Sequence, residues 1–319
     1  METILLILGG LGLFLYAIAH MADVLKDIIG DSAKVLLGKF THNVFTAIIT
    51  GVVITLILDS SSAVIIMAIV LVNAKALTFR QTIGIVLGAN IGTTFSSQII
   101  ALDIGKFSPI PIFLGMVLVF LAKSELMSKA GRAIIYFGIL FFGLYTMERA
   151  VEPLRDHPQF MNWMAKMENP FTGAGTGAFV TLIIQSSSAT VGMVITLAKK
   201  GILSLSAGVA VMLGAELGTC ADTLLATLKS NRQALKTGMF HLFFNISTII
   251  LGLILFPLFV GLINFISGNA HLEQKIANAH MLFNTLGVLI FLPFVGAAER
   301  ALNRLFPEKS TSALKAAAG

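Results

Sequence analysis

Two short polar stretches interrupt the most apolar parts of this chain. "LDSSSA" covers Leu58–Ala63 and "IQSSSA" covers Ile184–Ala189. Serines that begin a helix cap its first N–H groups, and the remaining free N–H groups attract anions. An adjacent carboxylate or amide, here Asp59 or Gln185, offers oxygen ligands to a hard cation. The two stretches therefore predict a polar site for an anion and a cation.

The residues around these stretches are those of a membrane protein. The chain has 319 residues, of which 56% are hydrophobic and 12% are charged, and its mean hydropathy is +0.90. A soluble domain carries about 25% charged residues. Several apolar runs approach the roughly 20 residues of a membrane helix, and their continuity excludes a β-barrel. We therefore predict an all-α polytopic membrane protein that contacts the lipid bilayer.

Two further features of the composition agree with this class. The N-terminus "METILLILGG" lacks the basic flank of a cleaved signal peptide, so we interpret it as the start of the first membrane helix. The net charge of +6 comes from Lys and Arg scattered between apolar segments, which indicates cytoplasmic loops and no nucleic-acid partner.

The chain is an internal repeat with an offset of 126 residues. At this shift, Ser60–Ser62 align with Ser186–Ser188 without a gap. At the same shift, "LGANIGTT" (Leu87–Thr94) aligns with "LGAELGTC" (Leu213–Cys220). Two such matches at one offset indicate a duplicated structural unit.

The lengths of the apolar segments predict what each unit contains. Residues 43–74 would form a helix of about 48 Å, which is too long for one crossing of a ~30 Å hydrocarbon core and too short for two. We predict a re-entrant hairpin with its turn at Ser60–Ser62, and a second hairpin over 170–200. Residues 81–102 and 206–228 are predicted to be interrupted membrane helices, because Gly and polar residues break their apolar runs.

The number of crossings sets the orientation of the second unit. Residues 3–26, 81–102 and 107–122 give three crossings in repeat 1, so repeat 2 is predicted to be inverted, as in many secondary transporters. Two closing crossings follow at 237–263 and 276–305. We expect repeat 1 over 1–126, repeat 2 over 127–263, and a final membrane helix with a cytoplasmic tail over 264–319.

The basic residues orient this arrangement in the plasma (inner) membrane. The crossing order puts most of the 22 Lys and Arg residues on one side, including Lys123 and Lys309. The Lys- and Arg-rich side of a membrane protein faces the cytoplasm. We therefore predict an external N-terminus, a cytoplasmic C-terminus, and two hairpin tips that meet near the midplane.

Irregular backbone at membrane depth must line a cavity or be buried in protein. We expect the central serines, Ser61 and Ser187, to cap the outgoing half-helices, and carbonyls near Leu58, Ile184, Gly88 and Gly214 to face a cation. The predicted anion ligands are Ser60, Ser61, Ser62, Ser186, Ser187, Ser188, Thr93 and Thr219. The predicted ligands of a coupling cation, sodium or a proton, are Asp59, Gln185, Asn90, Glu216, Ser61 and Ser187.

Other small and polar residues have simpler explanations. Small residues let membrane helices pack closely, which is our interpretation of Gly84, Gly138 and Gly143 and the alternative interpretation of the serine runs. His241/Asn245 and His280/Asn284 each share a helix face, which favours interhelical hydrogen bonds over direct ligand contact. Residues 151–168, with the single tryptophan, are predicted to be an exposed connector.

The motifs "QSSSAT" (Gln185–Thr190) and "LGANIGTT", the paired hairpins and two H-x-x-F-N segments resemble the type II sodium/phosphate cotransporter family. The resemblance extends from Gly12 to Pro293. It implies a secondary active transporter that symports inorganic phosphate with sodium by alternating access, with no enzyme activity and no cofactor besides the coupling sodium ions. Many bacterial relatives continue into a regulator-like cytoplasmic domain, which we expect to be absent because the chain stops at Gly319.

Two acids depart from the family pattern, and a third acid lies nearby. Asp59 replaces Gln at the first tip, Glu216 replaces Asn, and Asp222 is a third acid nearby. Buried carboxylates need neutralisation, and the predicted membrane core contains no basic residue to pair with them. Either sodium ions or protons neutralise these acids, or the substrate is another oxyanion or an organic anion. A channel is a less favoured alternative, and a homodimer is also considered.

Overall fold

The computed structural model describes residues 2–228 and 230–307, and this part of the chain contains helices and no strands. The α-helices are α1 (Glu2–Lys39), α2 (Val44–Leu58), α3 (Ser61–Asn73), α4 (Phe79–Ile100), α5 (Pro109–Phe120), α6 (Glu125–Val151), α7 (Pro158–Ala165), α8 (Pro170–Ile184), α9 (Ser187–Lys199), α10 (Leu205–Gly218), α11 (Cys220–Leu225), α12 (Arg232–Ile254), α13 (Phe256–Ser267), α14 (Leu272–Phe291) and α15 (Val295–Leu305).

Six helical segments of the described chain are long and apolar enough to cross a membrane. They are Glu2–Lys39, Phe79–Ile100, Glu125–Asp156, Leu205–Leu225, Arg232–Ile254 and Leu272–Leu305. Shorter apolar helices, which include α2, α3 and α8, lie between them. The predicted all-α polytopic membrane architecture is therefore confirmed.

The two predicted hairpins contain turns of the same conformation. Asp59 ends α2 in the left-handed region (φ 53°), and Ser60 is extended before α3 begins. Gln185 (φ 59°) and the extended Ser186 repeat this geometry between α8 and α9. The turn is therefore one residue earlier than predicted, since Ser61 and Ser62 are already helical.

Helices α2 and α4 run parallel and pack through glycine. Gly84, near the start of α4, lies against Val44, and Gly92, farther along, lies against Thr55. The contacting residue numbers rise together on both helices. The intervening α3 therefore runs back between two parallel helices, as the returning arm of a hairpin does.

The second unit packs in the same way. Gly173 of α8 lies against Ala210 of α10, and Gly218 lies against Thr181. These contacts are equivalent to those of the first unit at the 126-residue offset. In both units a glycine permits the helix backbones to approach closely.

The predicted interruption of the membrane helix at 81–102 is wrong. Helix α4 continues from Phe79 to Ile100 through Gly88, Asn90 and Gly92. The two glycines lie against α2, and the Asn90 amide donates to the Val86 carbonyl of the preceding turn. In the second unit, α10 and α11 separate only at Thr219. Small residues in these runs therefore serve helix packing, and Gly88 and Gly214 do not present carbonyls at a break.

Three predicted crossings differ from the observed helices. Helix α5 has 12 residues and a length of about 18 Å, so it is shorter than the predicted crossing at 107–122. The segment 237–263 divides into α12 and α13, with Pro257 in the first turn of α13. A short 3-10 helix with Pro293 likewise separates α14 from α15. Proline lacks the N–H that a helix interior requires, which explains both divisions.

The equivalent helices α1 and α6 are antiparallel. Gly10 lies against Met147, whereas Tyr16, farther along α1, lies 6.0 Å from Tyr136 between ring centroids. Residue numbers on α6 therefore fall as those on α1 rise. Opposite directions of equivalent helices are what an inverted repeat requires, while the orientation of the units in a membrane stays a prediction.

Cysteine labelling tests the predicted orientation. Lys123 and Lys166 are exposed, and the single native cysteine, Cys220, is buried, so its background labelling should be low. We expect an impermeant thiol reagent to label Lys123→Cys only from the cytoplasmic side and Lys166→Cys only from outside. Labelling of both variants from one side would contradict the crossing order. Lys309, which also entered the charge comparison, lies outside the described residues.

Candidate functional site

The two hairpin tips line one cavity of about 410 Å³, which we call the tip cavity. All eight predicted anion ligands line it, together with Asp59 and Gln185. Helix α1 contributes a wall that the sequence did not predict. The residues of that wall are Leu15, Ile18, Ala19 and Ala22.

The first serine of each run caps the outgoing helix. Ser60 Oγ accepts from the Ala63 N–H, and Ser186 Oγ accepts from the Ala189 N–H, each at 3.2 Å. The expectation that Ser61 and Ser187 are the caps is therefore wrong. The left-handed residue before each cap shifts the start of the helix by one position.

The caps leave polar groups available to a ligand in the tip cavity. Within residues 2–228 and 230–307, the hydroxyls of Ser61 and Ser187 make no hydrogen bond with protein. Helices leave their first N–H groups without intrahelical partners, and here two such helix starts meet at one cavity. This arrangement favours an anion without requiring a basic side chain.

Asp59 lies between the tip cavity and a second, largely apolar cavity. Its carboxylate accepts a hydrogen bond from Ser96 Oγ of α4. The second cavity has a volume of about 320 Å³ and is lined by Asp59, Ser96 and Ser188 among apolar side chains. A partly buried carboxylate that lines two cavities can receive a cation or a proton.

Asp222 is a second carboxylate near the tips, in addition to Asp59. It is not among the cation ligands predicted from the sequence. It lies 126 residues after Ser96, and its side chain lies near the Ser62 side chain of the first tip. Its Oδ1 atom is buried and has no partner in the described chain. Each repeat thus places one carboxylate near the tips, although from different positions. The 126-residue offset relates Asp222 to Ser96, and this relation is the sequence signal that could have identified Asp222 as a site residue.

Two predicted cation ligands do not line the tip cavity. Asn90 is engaged with its own helix, and Glu216 Oε1 lies 2.8 Å from His280 Nε2. Glu216 and His280 are both buried, with 3% and 0% exposure. The expectation that the acids have no basic partner is therefore wrong for Glu216. A cation role for either residue stays a prediction.

The predicted interhelical role of both histidines is confirmed. His280 Nδ1 on α14 lies 2.6 Å from Ser97 Oγ of α4, and His241 Nδ1 on α12 lies 2.9 Å from Thr223 Oγ1 of α11. Ser97 and Thr223 occupy equivalent positions of the repeat. Asn245 also bonds between helices, to the Glu216 carbonyl, whereas Asn284 donates to the His280 carbonyl of its own helix, so the prediction is wrong for Asn284.

The sequence profile described as Na⁺/Pi-cotransporter matches residues 13–149 and again residues 155–292. The chain belongs to this family. Membership supports phosphate transport by a multi-pass membrane protein. No solved structure matches the chain.

This Na⁺/Pi-cotransporter family member matches its relatives over different shares of their own length. "Uncharacterized protein YqeW" of Bacillus subtilis (strain 168) is 29% identical over 317 residues, which cover 96% of this chain and 100% of that protein. "Putative inorganic phosphate export protein YjbB" of Escherichia coli (strain K12) is 25% identical, over 94% of this chain and 55% of that protein. The chain thus spans about half the length of the latter relative. Human "Sodium-dependent phosphate transport protein 2B" is 27% identical, over 36% of this chain and 18% of its own length.

Proposed function

We propose that this protein is a secondary active transporter that symports inorganic phosphate with sodium by alternating access. The observation that carries this proposal is the tip cavity, where two capped helix starts and six serines face one space. A cavity lined by these serines between repeated hairpins suits a transported ion that must be bound and released. Family membership independently supports phosphate as that ion.

The tip cavity has the chemistry of a phosphate site. Each helix start carries about half a positive charge and donates N–H groups, and the free hydroxyls of Ser61 and Ser187 add donors. Its described lining contains no Lys or Arg. Most of the remaining charge of phosphate must therefore be balanced by ions that bind with it.

Asp59 supplies a site for such an ion. It accepts a hydrogen bond from Ser96, so this carboxylate has a hydroxyl oxygen beside it. Carboxylate and hydroxyl oxygens are suitable ligands for sodium, and an unneutralised buried carboxylate is costly. A bound sodium ion would remove the repulsion between this acid and phosphate. Phosphate binding would then require sodium, which is the basis of coupling.

The arrangement of the repeats supports alternating access. The antiparallel packing of α1 and α6 agrees with an inverted repeat, in which each hairpin opens to a different side of the plasma membrane. Obligatory symport lets the imposed gradients set the direction, which accommodates a relative named for phosphate export and another named for sodium-dependent transport. A homodimer stays a prediction.

Transport by purified protein in liposomes tests this function. We expect uptake of radiolabelled phosphate against its gradient when sodium is high outside, and counterflow when unlabelled phosphate is inside. A proton gradient without sodium should drive little uptake. Uptake driven only by protons would favour a proton-coupled carrier, and flux without uphill movement or counterflow would favour a channel. Failure of excess phosphate to compete with a transported organic anion would contradict the proposed substrate.

Asp59→Asn tests the coupling role of the first carboxylate. Asparagine adopts the left-handed conformation and still accepts from Ser96, so the fold should persist. Loss of the charge should raise the sodium concentration for half-maximal uptake by roughly tenfold or alter the pH profile. The apparent phosphate affinity at saturating sodium should change less.

Asp103→Asn is the matched control for this variant. Asp103 has the same left-handed backbone (φ 53°) but pairs with Lys199 away from the tip cavity. We expect its sodium dependence to equal that of the wild type. Identical sodium and pH curves for Asp59→Asn and the wild type would contradict the coupling role of Asp59.

A further inference from the structure

One buried histidine ring joins the two repeats. His280 of α14 is fully buried, and its Nδ1 lies 2.6 Å from Ser97 Oγ while its Nε2 lies 2.8 Å from Glu216 Oε1. Ser97 belongs to α4 of repeat 1, and Glu216 belongs to α10 of repeat 2. A neutral ring that donates from Nε2 to the carboxylate accepts from the serine hydroxyl at Nδ1, so both bonds form together.

The chain contains a matched histidine that makes no such bridge. His241 Nδ1 lies 2.9 Å from Thr223 Oγ1, and His241 Nε2 lies 3.0 Å from Asn245 Nδ2 of its own helix. The two histidines share the H-x-x-F-N motif, and their hydroxyl partners are equivalent in the repeat. Within residues 2–228 and 230–307, however, the hydrogen bonds of the His241 ring join only α11 and α12. The bridge is therefore a property of His280 and Glu216, and not of the motif.

The bridged helices carry the two halves of the tip cavity. Helix α4 packs along the first hairpin and contributes Thr93, while α10 packs along the second hairpin and leads to Thr219. The position of α4 relative to α10 therefore sets the separation of the two tips. Polar bonds to a buried carboxylate are costly to break, which makes this contact a strong constraint.

We propose that His280 is a positioning residue that holds the two tips in register for one ligand that contacts both. This inference rests on the proposed function, because the ligand meant is phosphate. A cation held at Asp59 by residues of one tip and α4 does not span the two halves. Loss of the bridge should therefore weaken phosphate binding more than sodium binding.

The test compares His280→Ala with His241→Ala in proteoliposomes. We expect His280→Ala to raise the KM for phosphate by about tenfold, as loss of a hydrogen bond to a charged group would. The sodium dependence at saturating phosphate should stay within about twofold of the wild type. His241→Ala should leave the phosphate KM unchanged. A role in folding alone would lower the amount of active protein, and hence Vmax, without changing KM.

A second pair of variants avoids the cavity that His280→Ala creates. Ser97→Ala and Thr223→Val each remove the hydroxyl at Nδ1, with little loss of volume. We expect Ser97→Ala to raise the phosphate KM and Thr223→Val to leave it unchanged. The effect of Ser97→Ala should also disappear in the His280→Ala background, because the two variants break the same bridge.

The outcomes separate this inference from the proposed function. If wild-type protein carries phosphate but His280→Ala and Ser97→Ala keep its KM, the positioning role is wrong. Equal KM increases in the His241 and His280 variants, or additive effects of Ser97→Ala and His280→Ala, would also contradict it. If wild-type protein carries no phosphate, the proposed function fails first.

Discussion

Ser61→Ala and Ser187→Ala are each expected to lower phosphate transport by at least about tenfold while the melting temperature stays near that of the wild type. Both hydroxyls line the tip cavity, and neither bonds to protein in the described chain. Their removal therefore takes donors from the ligand and not from the fold. Loss of a hydrogen bond to a charged ligand costs about 1.5–3 kcal/mol, which is tenfold or more.

The neighbouring serines are the matched controls. Ser60 and Ser186 cap α3 and α9, so their replacement by alanine should lower the free energy of unfolding by about 1 kcal/mol. Thermal unfolding in detergent and the initial rate of uptake separate the two effects. Normal transport by both Ser61→Ala and Ser187→Ala would show that the serines only permit helix packing.

Gly177→Ala is expected to produce the largest loss of stability of any single change considered. A Cβ atom at this position of α8 would lie 1.9 Å from the Val211 carbonyl oxygen of α10. Because the obstacle is backbone, the two helices must separate, which costs about 3 kcal/mol. We expect little monodisperse protein after purification, or a strongly lowered melting temperature.

Gly175→Ala is the control, only two residues away on the same helix. A Cβ atom at Gly175 meets nothing within 4 Å. Alanine is the better helix former by about 1 kcal/mol, so this variant should be as stable as the wild type or more stable. Similar melting temperatures for the two alanine variants would contradict the close contact between α8 and α10.

The sequence predicted the two turns and the polar residues of the tip cavity, but not its α1 wall, because the turns and the polar residues depend on local signals. Apolar length and repeated serines determine where the chain must turn, and the offset of 126 residues relates the two tips. The cap position could not be predicted, because the left-handed conformation of Asp59 and Gln185 depends on how the turn closes. The bond of Glu216 to His280 joins residues 64 apart on different helices, so no local pattern indicates it.

The predicted break in α4 is wrong for a related reason, since it also depends on a contact between different helices. A glycine or asparagine in an apolar run is compatible both with a helix break and with close packing of a continuous helix. The neighbouring helix decides between them, since Gly88 faces the Ile48 carbonyl oxygen of α2 and Asn90 bonds within its own helix. A short apolar segment is likewise compatible with a membrane crossing and with a shorter helix, as α5 and α13 illustrate.

The acids of the two repeats occupy non-equivalent positions, and this has a consequence for comparing the repeats. Asp59 is on a tip and its equivalent is Gln185, whereas Asp222 is on a helix and its equivalent is Ser96. Each repeat nevertheless brings one carboxylate to the tips. In the frame of the repeat, the acid is therefore at the tip position in the first half and at the helix position in the second half. A column-by-column alignment of the two repeats would score both positions as mismatches, although each pair of positions contains one carboxylate.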